Sequence, residues 1–341
     1  MAAKVLVTGA SGFIAKHCIA ELLRRGFEVR GTLRDLTRAD EVRNSVARAG
    51  ADASGIEFAT ADLMQDAGWD QAVAGCTYVQ HVASPFPLQN PKDPDEVIRP
   101  AREGALRVLR AASRGGVKRV VQTSSIVAVD LPWPDAPLGH IFTETDWTNP
   151  QRPDITTYVV SKTLAERAAW DFMRSERPPC ELAVVNPAFV LGPVLDADLS
   201  TSQEVLRLMG TGAYPAAPRI GFPISDVRDV AVTHALAMVS PKAAGERFLS
   251  ANGFLRLMEV AKLMVAELPD LKWKVPKFEM HDFAVRLIAH LDRRLKAVLP
   301  ELGHPRPISN EKARSVLGQS FRSPQEAVKT AATSLRQFHV I

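Results

Sequence analysis

The chain opens on a short apolar run, Val5-Leu6-Val7, and passes at once into the turn Thr8-Gly9-Ala10-Ser11-Gly12. From Gly12 to about Arg25 apolar residues recur at helical spacing (Ile14, Cys18, Leu22), which predicts a helix. The run before the turn shows no polar alternation, as expected of a parallel strand buried on both faces. Further strand signals follow at Phe27 to Leu33, Gly55 to Thr60, Thr77 to Ala83, Val117 to Thr123 and Cys180 to Val185. Between them lie helical patterns at 39–49, 93–114 (ended by Gly115-Gly116) and 158–173. Strand–helix alternation of this kind predicts an α/β fold with a Rossmann-type doubly wound parallel sheet. Beyond Leu191 the pattern changes to Pro/Gly-rich segments and helices (253–268, 280–299, 309–317, 324–338) with little strand signal. The expected division is a dinucleotide-binding domain over 1–190 and a smaller, mostly helical substrate domain over 191–341. Segments around 224–250 are expected to return to the first domain.

Composition narrows the function class. Of 341 residues, 46% are hydrophobic and 23% charged, as in ordinary globular proteins. A net charge of +4, without a Lys/Arg block, gives no case for nucleic acid. No apolar run reaches the length of a membrane span. Three scattered cysteines, Cys18, Cys76 and Cys180, suggest neither a disulfide framework nor a zinc site. A strand beginning near residue 4 leaves no room for a signal peptide, so a cytoplasmic protein is expected.

The first strand, its glycine turn and the following helix form the arrangement that offers backbone N–H groups and a helix N-terminus to a pyrophosphate. Gly9 permits the sharp turn, Gly12 lets backbone approach phosphate, and Ala15 allows close helix–strand packing. The spacing Gly-x-x-Gly-x-x-Ala departs from Gly-x-Gly-x-x-Gly. The second strand ends at Arg34-Asp35, where such folds meet the adenine ribose. Arg34 would pair with a 2′-phosphate, whereas Asp35 would accept from a 2′-hydroxyl. Asp62, just past the third strand, suits either the adenine amino group or a helix cap. Small Ala83 and Ser84, before the breaker run Pro85-Phe86-Pro87, would let ribose and phosphates lie against the backbone. His81, alone in an apolar strand, reads better as a satisfied core residue than as a catalytic base.

Tyr158 and Lys162 stand four apart on a predicted helix and so share a face. A neighbouring cation favours phenolate, so Lys162 is expected to lower the Tyr158 pKa from near 10 toward the working range. Ser124-Ser125 closes the fifth strand, at the sheet end where ligands bind. Ser125 could donate to a carbonyl oxygen while Tyr158 gives or takes a proton.

Taken with Thr32 to Asp35, Ala61 to Leu63, His81 to Pro85, Val120 to Ser125, Tyr158 to Glu166, Asn186-Pro187 and Gly192-Pro193, the chain resembles an extended short-chain dehydrogenase/reductase. It is most similar to dihydroflavonol reductases and related aldehyde/ketone reductases. The resemblance implies a catalytic set of Ser125, Tyr158 and Lys162, with Lys162 also on the nicotinamide ribose. It implies cofactor contacts from Thr8, Gly9, Ser11, Gly12, Phe13, Ile14, Arg34, Asp62, Leu63, Val82, Ala83, Ser84 and Thr123, and from Pro187 and Val190 near the carboxamide. NADP(H) is the expected cofactor, NAD less so, and the partner a small carbonyl or alcohol compound acting on a monomer or homodimer. Asp154-Ile155-Thr156-Thr157 departs from the Asn-Trp-Tyr-Cys-type signature of cinnamoyl-CoA reductases, against a thioester substrate. The Asp130 to His140 stretch and the helices after 250 are expected to line an apolar pocket. The rival readings are a nucleotide-sugar epimerase or dehydratase with retained NAD, and a dinucleotide sensor without turnover. Arg219 and Arg228 are the only candidates for a substrate diphosphate.

Overall fold

The computed structural model describes residues 2–84, 93–131, 137, 139–153, 155–290, 299–303 and 305–341. In chain order the first half holds β1 (Lys4–Val7), α1 (Phe13–Arg24), β2 (Glu28–Leu33), α2 (Ala39–Arg48), β3 (Glu57–Thr60), α3 (Trp69–Val73), β4 (Tyr78–His81), α4 (Asp95–Arg114), β5 (Arg119–Thr123), α5 (Thr157–Glu176) and β6 (Glu181–Pro187). The second half holds β7 (Phe189–Leu191), α6 (Thr201–Gly210), β8 (Ala217–Pro218), β9 (Gly221–Asp226), α7 (Val227–Val239), β10 (Arg247–Ser250), β11 (Phe254–Arg256), α8 (Leu257–Glu267), β12 (Glu279–Met280), α9 (Asp282–Ile288), α10 (Glu311–Leu317) and α11 (Pro324–Gln337).

Seven strands form one parallel sheet in the order β10-β6-β5-β4-β1-β2-β3. Strand order reverses between β1 and β4, where Val5 pairs with Val29 on one side and Tyr78 on the other. Successive side chains alternate faces, and the core divides accordingly. Val5, Val7, Val121 and Val185 pack with α1 and α7, while Leu6, Val120, Leu182 and Val184 pack with α4 on the other face. A second core joins β7 and β9 to α6, α8 and α11 around Leu191, Leu206, Met264 and Leu335. Among the described residues, no helix is long and apolar enough to cross a membrane.

Strand structure beyond Leu191 exceeds the sequence expectation. β10 completes the main sheet, β7-β9-β11 form a three-stranded sheet, and β8 pairs with β12. These strands run from two to six residues, and Pro218 in β8 and Pro223 in β9 read as strand breakers. The helix expected over 253–268 is divided into β11 and α8, and that over 280–299 is seen as α9; residues 291–298 lie outside the described residues. α3, α6 and α7 carry no signal used above. The loop after Asp130 covers the outer edge of β10: Glu144 Oε1 accepts from the Leu249 N–H at 3.0 Å. An edge strand is thereby satisfied without a further strand.

Gly9 sits at φ +66°, and a Cβ there would lie 2.9 Å from the Ala83 Cβ. Gly26 has φ +79° with nothing within 4 Å. An L residue in this conformation costs about 1–2 kcal/mol, and overpacking adds about 1–3 kcal/mol. Gly26→Ala should therefore lose only the first amount, and Gly9→Ala both, in urea unfolding. Equal losses would show that Ala83 yields freely and that the turn is not sterically fixed.

Candidate active site

The carboxyl ends of β1, β4, β5 and β6 face one cavity of about 770 Å³. Its floor is the glycine turn. The Gly9 N–H donates to Thr32 Oγ1 at 3.0 Å, and the Gly12 N–H to the Gly9 carbonyl at 2.9 Å. Gly12 caps α1 without a side-chain acceptor, and Ser11, Phe13 and Ile14 line the cavity at that helix end. An uncapped helix N-terminus above a turn that excludes a Cβ fits a pyrophosphate. Thr8, expected among the cofactor contacts, is fully buried and is not in the cavity lining. Its hydroxyl accepts from the Val82 and Ala83 N–H groups, each at 3.0 Å, and so holds β1 to the end of β4. With both lone pairs used, that hydroxyl donates to His81 Nδ1 at 2.9 Å. Burial, aided by the Lys162 charge, pushes His81 down to about 3, so it is a neutral core residue.

At the adenosine end, Arg34, Asp62 and Leu63 line the cavity. Asp62 accepts from the Met64 N–H at 2.9 Å, so its carboxylate also caps a turn. The opposed neighbours at the end of β2 separate cleanly. Asp35 accepts from the Thr37 N–H at 2.9 Å, and the Thr37 hydroxyl, together with this backbone bond, holds its carboxyl below the usual range. Arg34 is exposed toward the cavity and has no hydrogen-bond or ion-pair partner among the described residues. Arg30 is tied to Glu57 and to loop carbonyls, and Arg43 to Asp40 and the Ile56 carbonyl. Arg38 spans the cleft from Ser11 Oγ (3.4 Å) to Asp198 (3.0 Å).

At the other end, Val82, Ala83, Ser84, Pro187 and Val190 line the same cavity as Ser125, Tyr158 and Lys162. Thr123 lines it as well, but its hydroxyl is committed to His234 Nε2 at 2.7 Å, while His234 Nδ1 bonds the Val230 carbonyl. Pro85 to Lys92 and Asp154 lie outside the described residues, as do 132–136 and 138 in the stretch expected to line the pocket. The described wall ends at Asp198 to Ser202, the loop entering α6, and no residue after 250 belongs to it.

Tyr158 and Lys162 come from the first two turns of α5, which Thr156 caps at the Val159 N–H. Ser125 hydrogen-bonds the Tyr158 phenol, and the Lys162 Nζ lies 6.0 Å from that ring's centre. The expected lowering of the phenol is reversed. Burial pushes Tyr158 up to about 12 against the opposing pull of the Ser125 bond. Burial likewise brings Lys162 down to about 8, with Glu166 pulling it back up. Sequence reasoning weighed the cation and omitted desolvation, which is the larger effect here. At neutral pH the site presents a protonated phenol beside an ammonium, a proton donor rather than a base.

Sequence reasoning also missed the support under this group. Glu166, a turn beyond Lys162 on the same stripe, accepts from Ser124 Oγ at 2.5 Å and from the Asn186 amide at 2.9 Å. Its signal was a carboxylate on a helix face that must be buried.

A doubly wound parallel sheet with a glycine turn at its switch point and Ser, Tyr and Lys on the same rim is the architecture of the extended short-chain dehydrogenase/reductases. The chain belongs to the NAD dependent epimerase/dehydratase family, whose model matches residues 5–215. It is 32% identical to ketoreductase azaE of Aspergillus niger, over 98% of each chain. To cinnamoyl-CoA reductase CAD2 of Medicago truncatula it is 38% identical, over 72% of this chain and 75% of that one. Among solved structures, Gre2 from Candida albicans in complex with NADPH matches with a TM-score of 0.82 at 27% identity, over 99% of each chain.

Proposed function

We propose that the protein is a cytoplasmic NADP(H)-dependent carbonyl reductase, converting an apolar or aromatic aldehyde or ketone to its alcohol. The observation that carries this reading is that Ser125, Tyr158 and Lys162 share one cavity with the glycine turn. Bound there, NADPH would supply the hydride. Ser125, whose carbonyl is held by the Asn186 amide at 3.1 Å, donates a hydrogen bond to the substrate oxygen. Tyr158 delivers the proton to that oxygen as charge develops on it. Lys162 offsets the charge left on the phenolate and orients the nicotinamide ribose. The carboxamide falls to Pro187 and Val190, the pyrophosphate to the N-terminus of α1, and the 2′-phosphate to Arg34, which no hydrogen bond or ion pair engages among the described residues. The reductase relatives and the NADPH complex of Gre2 support the same assignment. Three free, buried cysteines suit a reducing compartment.

An epimerase acting on a nucleotide sugar would need cations for the substrate diphosphate. Arg219 pairs with Asp282, and Arg228 with Asp226 and Glu326; neither lines the cavity.

NADPH oxidation with a panel of aldehydes, ketones and cinnamoyl-CoA tests the reading. Tyr158→Phe should reduce kcat by about 10²–10⁴-fold with NADPH affinity nearly unchanged. Ser125→Ala should lower kcat more than it weakens NADPH binding, because the hydroxyl acts on the developing oxyanion. Near-normal kcat in the Phe variant, or activity confined to the thioester, would defeat the proposal.

The cofactor assignment has its own test. Wild type should prefer NADPH, and Arg34→Ala should raise the KM for NADPH about tenfold or more, from the ~1.5–3 kcal/mol of a hydrogen bond to a charged group. The KM for NADH and both kcat values should change little. Equal weakening of both cofactors would remove Arg34 from the 2′-phosphate.

A further inference from the structure

Glu166 is fully buried, and four donors converge on its carboxylate. Oε2 accepts from the Ser124 hydroxyl (2.5 Å) and the Asn186 amide (2.9 Å). Oε1 accepts from Arg247 Nε (2.5 Å) and the Trp170 indole N–H (3.3 Å). Beyond Trp170 on α5 itself, these donors come from the end of β5, from β6 and from β10. Asn186 binds the Ser125 carbonyl with the same amide nitrogen. Arg247 lies 3.8 Å over the Trp147 ring and donates to the Glu144 and Asp146 carbonyls, so it is itself held from outside. The carboxylate thus ties the helix that carries Tyr158 and Lys162 to the strand end that carries Ser125.

Packing does not call for this arrangement. A buried ion pair gives a helix no better adhesion than apolar side chains of the same volume, and leaving either member alone is strongly unfavourable. Resting on the reductase reading, we propose that Glu166 is a positioning residue of the reaction. Through Ser124 and Asn186 it sets α5 against Ser125, and its negative charge, balanced by Arg247, supports the Lys162 cation.

The signs of the two charges make this separable from a structural role. Lys162 is faced by Tyr158 and Glu166 from its own helix and by His81 from β4, which is neutral; Arg247 of β10 stands behind Glu166. Ser124, Ser125 and Asn186 add only neutral groups. Burial lowers Lys162 and Glu166 raises it. Removing the Glu166 charge must therefore lower Lys162 further, and removing the Arg247 charge must raise it. A merely structural loss has no reason to give opposite signs.

The test uses the full-length protein in two measurements. In the free protein, the rate of Lys162 acetylation by acetic anhydride against pH, read by peptide mass spectrometry, reports its titration without cofactor or turnover. In the NADPH-loaded enzyme, kcat and KM are followed against pH. Glu166→Gln should move the labelling midpoint and the alkaline limb of kcat to lower pH by about one unit, tenfold in the protonation ratio. Its kcat should fall while the KM for NADPH changes little. Arg247→Gln should move the midpoint the other way. Glu166→Asp keeps the charge but is one methylene short of its partners, so it should lower kcat and leave the midpoint in place. That variant carries the test if the uncharged ones do not fold, and an unchanged kcat in it overturns the proposal. Shifts of the same sign in both uncharged variants, or no shift, likewise overturn it. If wild type reduces no carbonyl compound, the functional reading fails, while opposite midpoint shifts in the free protein would still uphold the Glu166–Lys162 coupling.

Discussion

A parallel sheet has one rim at which every strand ends, and the chemistry of this protein hangs from it. β1 turns there into the N-terminus of α1, β4 ends in the small residues Val82 to Ser84, and β5 ends in Ser124-Ser125. The rim is fixed by strands that have no alternative, since Val5, Leu6 and Val7 are fully buried between two helical layers. Turning the register of β1 would place the Gly9 turn against something other than Ala83. A ligand on this rim therefore meets backbone donors at one end and the Tyr158 phenol, Ser125 hydroxyl and Lys162 ammonium at the other. The distance between these two groups is set by the sheet rather than by any loop.

Burial at the rim decides the protonation of its groups. The same desolvation that pushes Tyr158 up brings Lys162 and His81 down, so each moves toward its neutral form. Lys162 alone remains largely charged at neutral pH, and Glu166 is the group that holds it there. A phenol that keeps its proton at neutral pH is a donor rather than a base.

What could be read from the chain was whatever lies close together in it. The β1 turn and α1 are consecutive, Tyr158 and Lys162 are one helical turn apart, and Ser125 directly follows an apolar strand. The parallel, doubly wound character of the sheet follows from the alternation of strand and helix. What could not be read depends on contacts across the sheet. Glu166 finds Ser124, Asn186 and Arg247 only after β5, β6 and β10 are side by side, and β10 is a four-residue strand without a period of its own. Sequence alone already favoured Arg34 over Asp35 at the end of β2, and the structure adds that the Asp35 carboxylate accepts from the Thr37 N–H. The direction of the Tyr158 shift was misjudged because a neighbouring charge is visible in sequence and desolvation is not.

The central claim is that hydride leaves NADPH for a carbonyl carbon and that the cofactor is consumed in doing so. Its most direct test is turnover of an accepted aldehyde or ketone with NADPH deuterated at the transferring C4 position, with mass spectrometry of the alcohol. The account predicts one deuterium at the carbinol carbon and one NADP released per product. Product without label, or turnover that leaves the cofactor bound and its redox state unchanged, would contradict it.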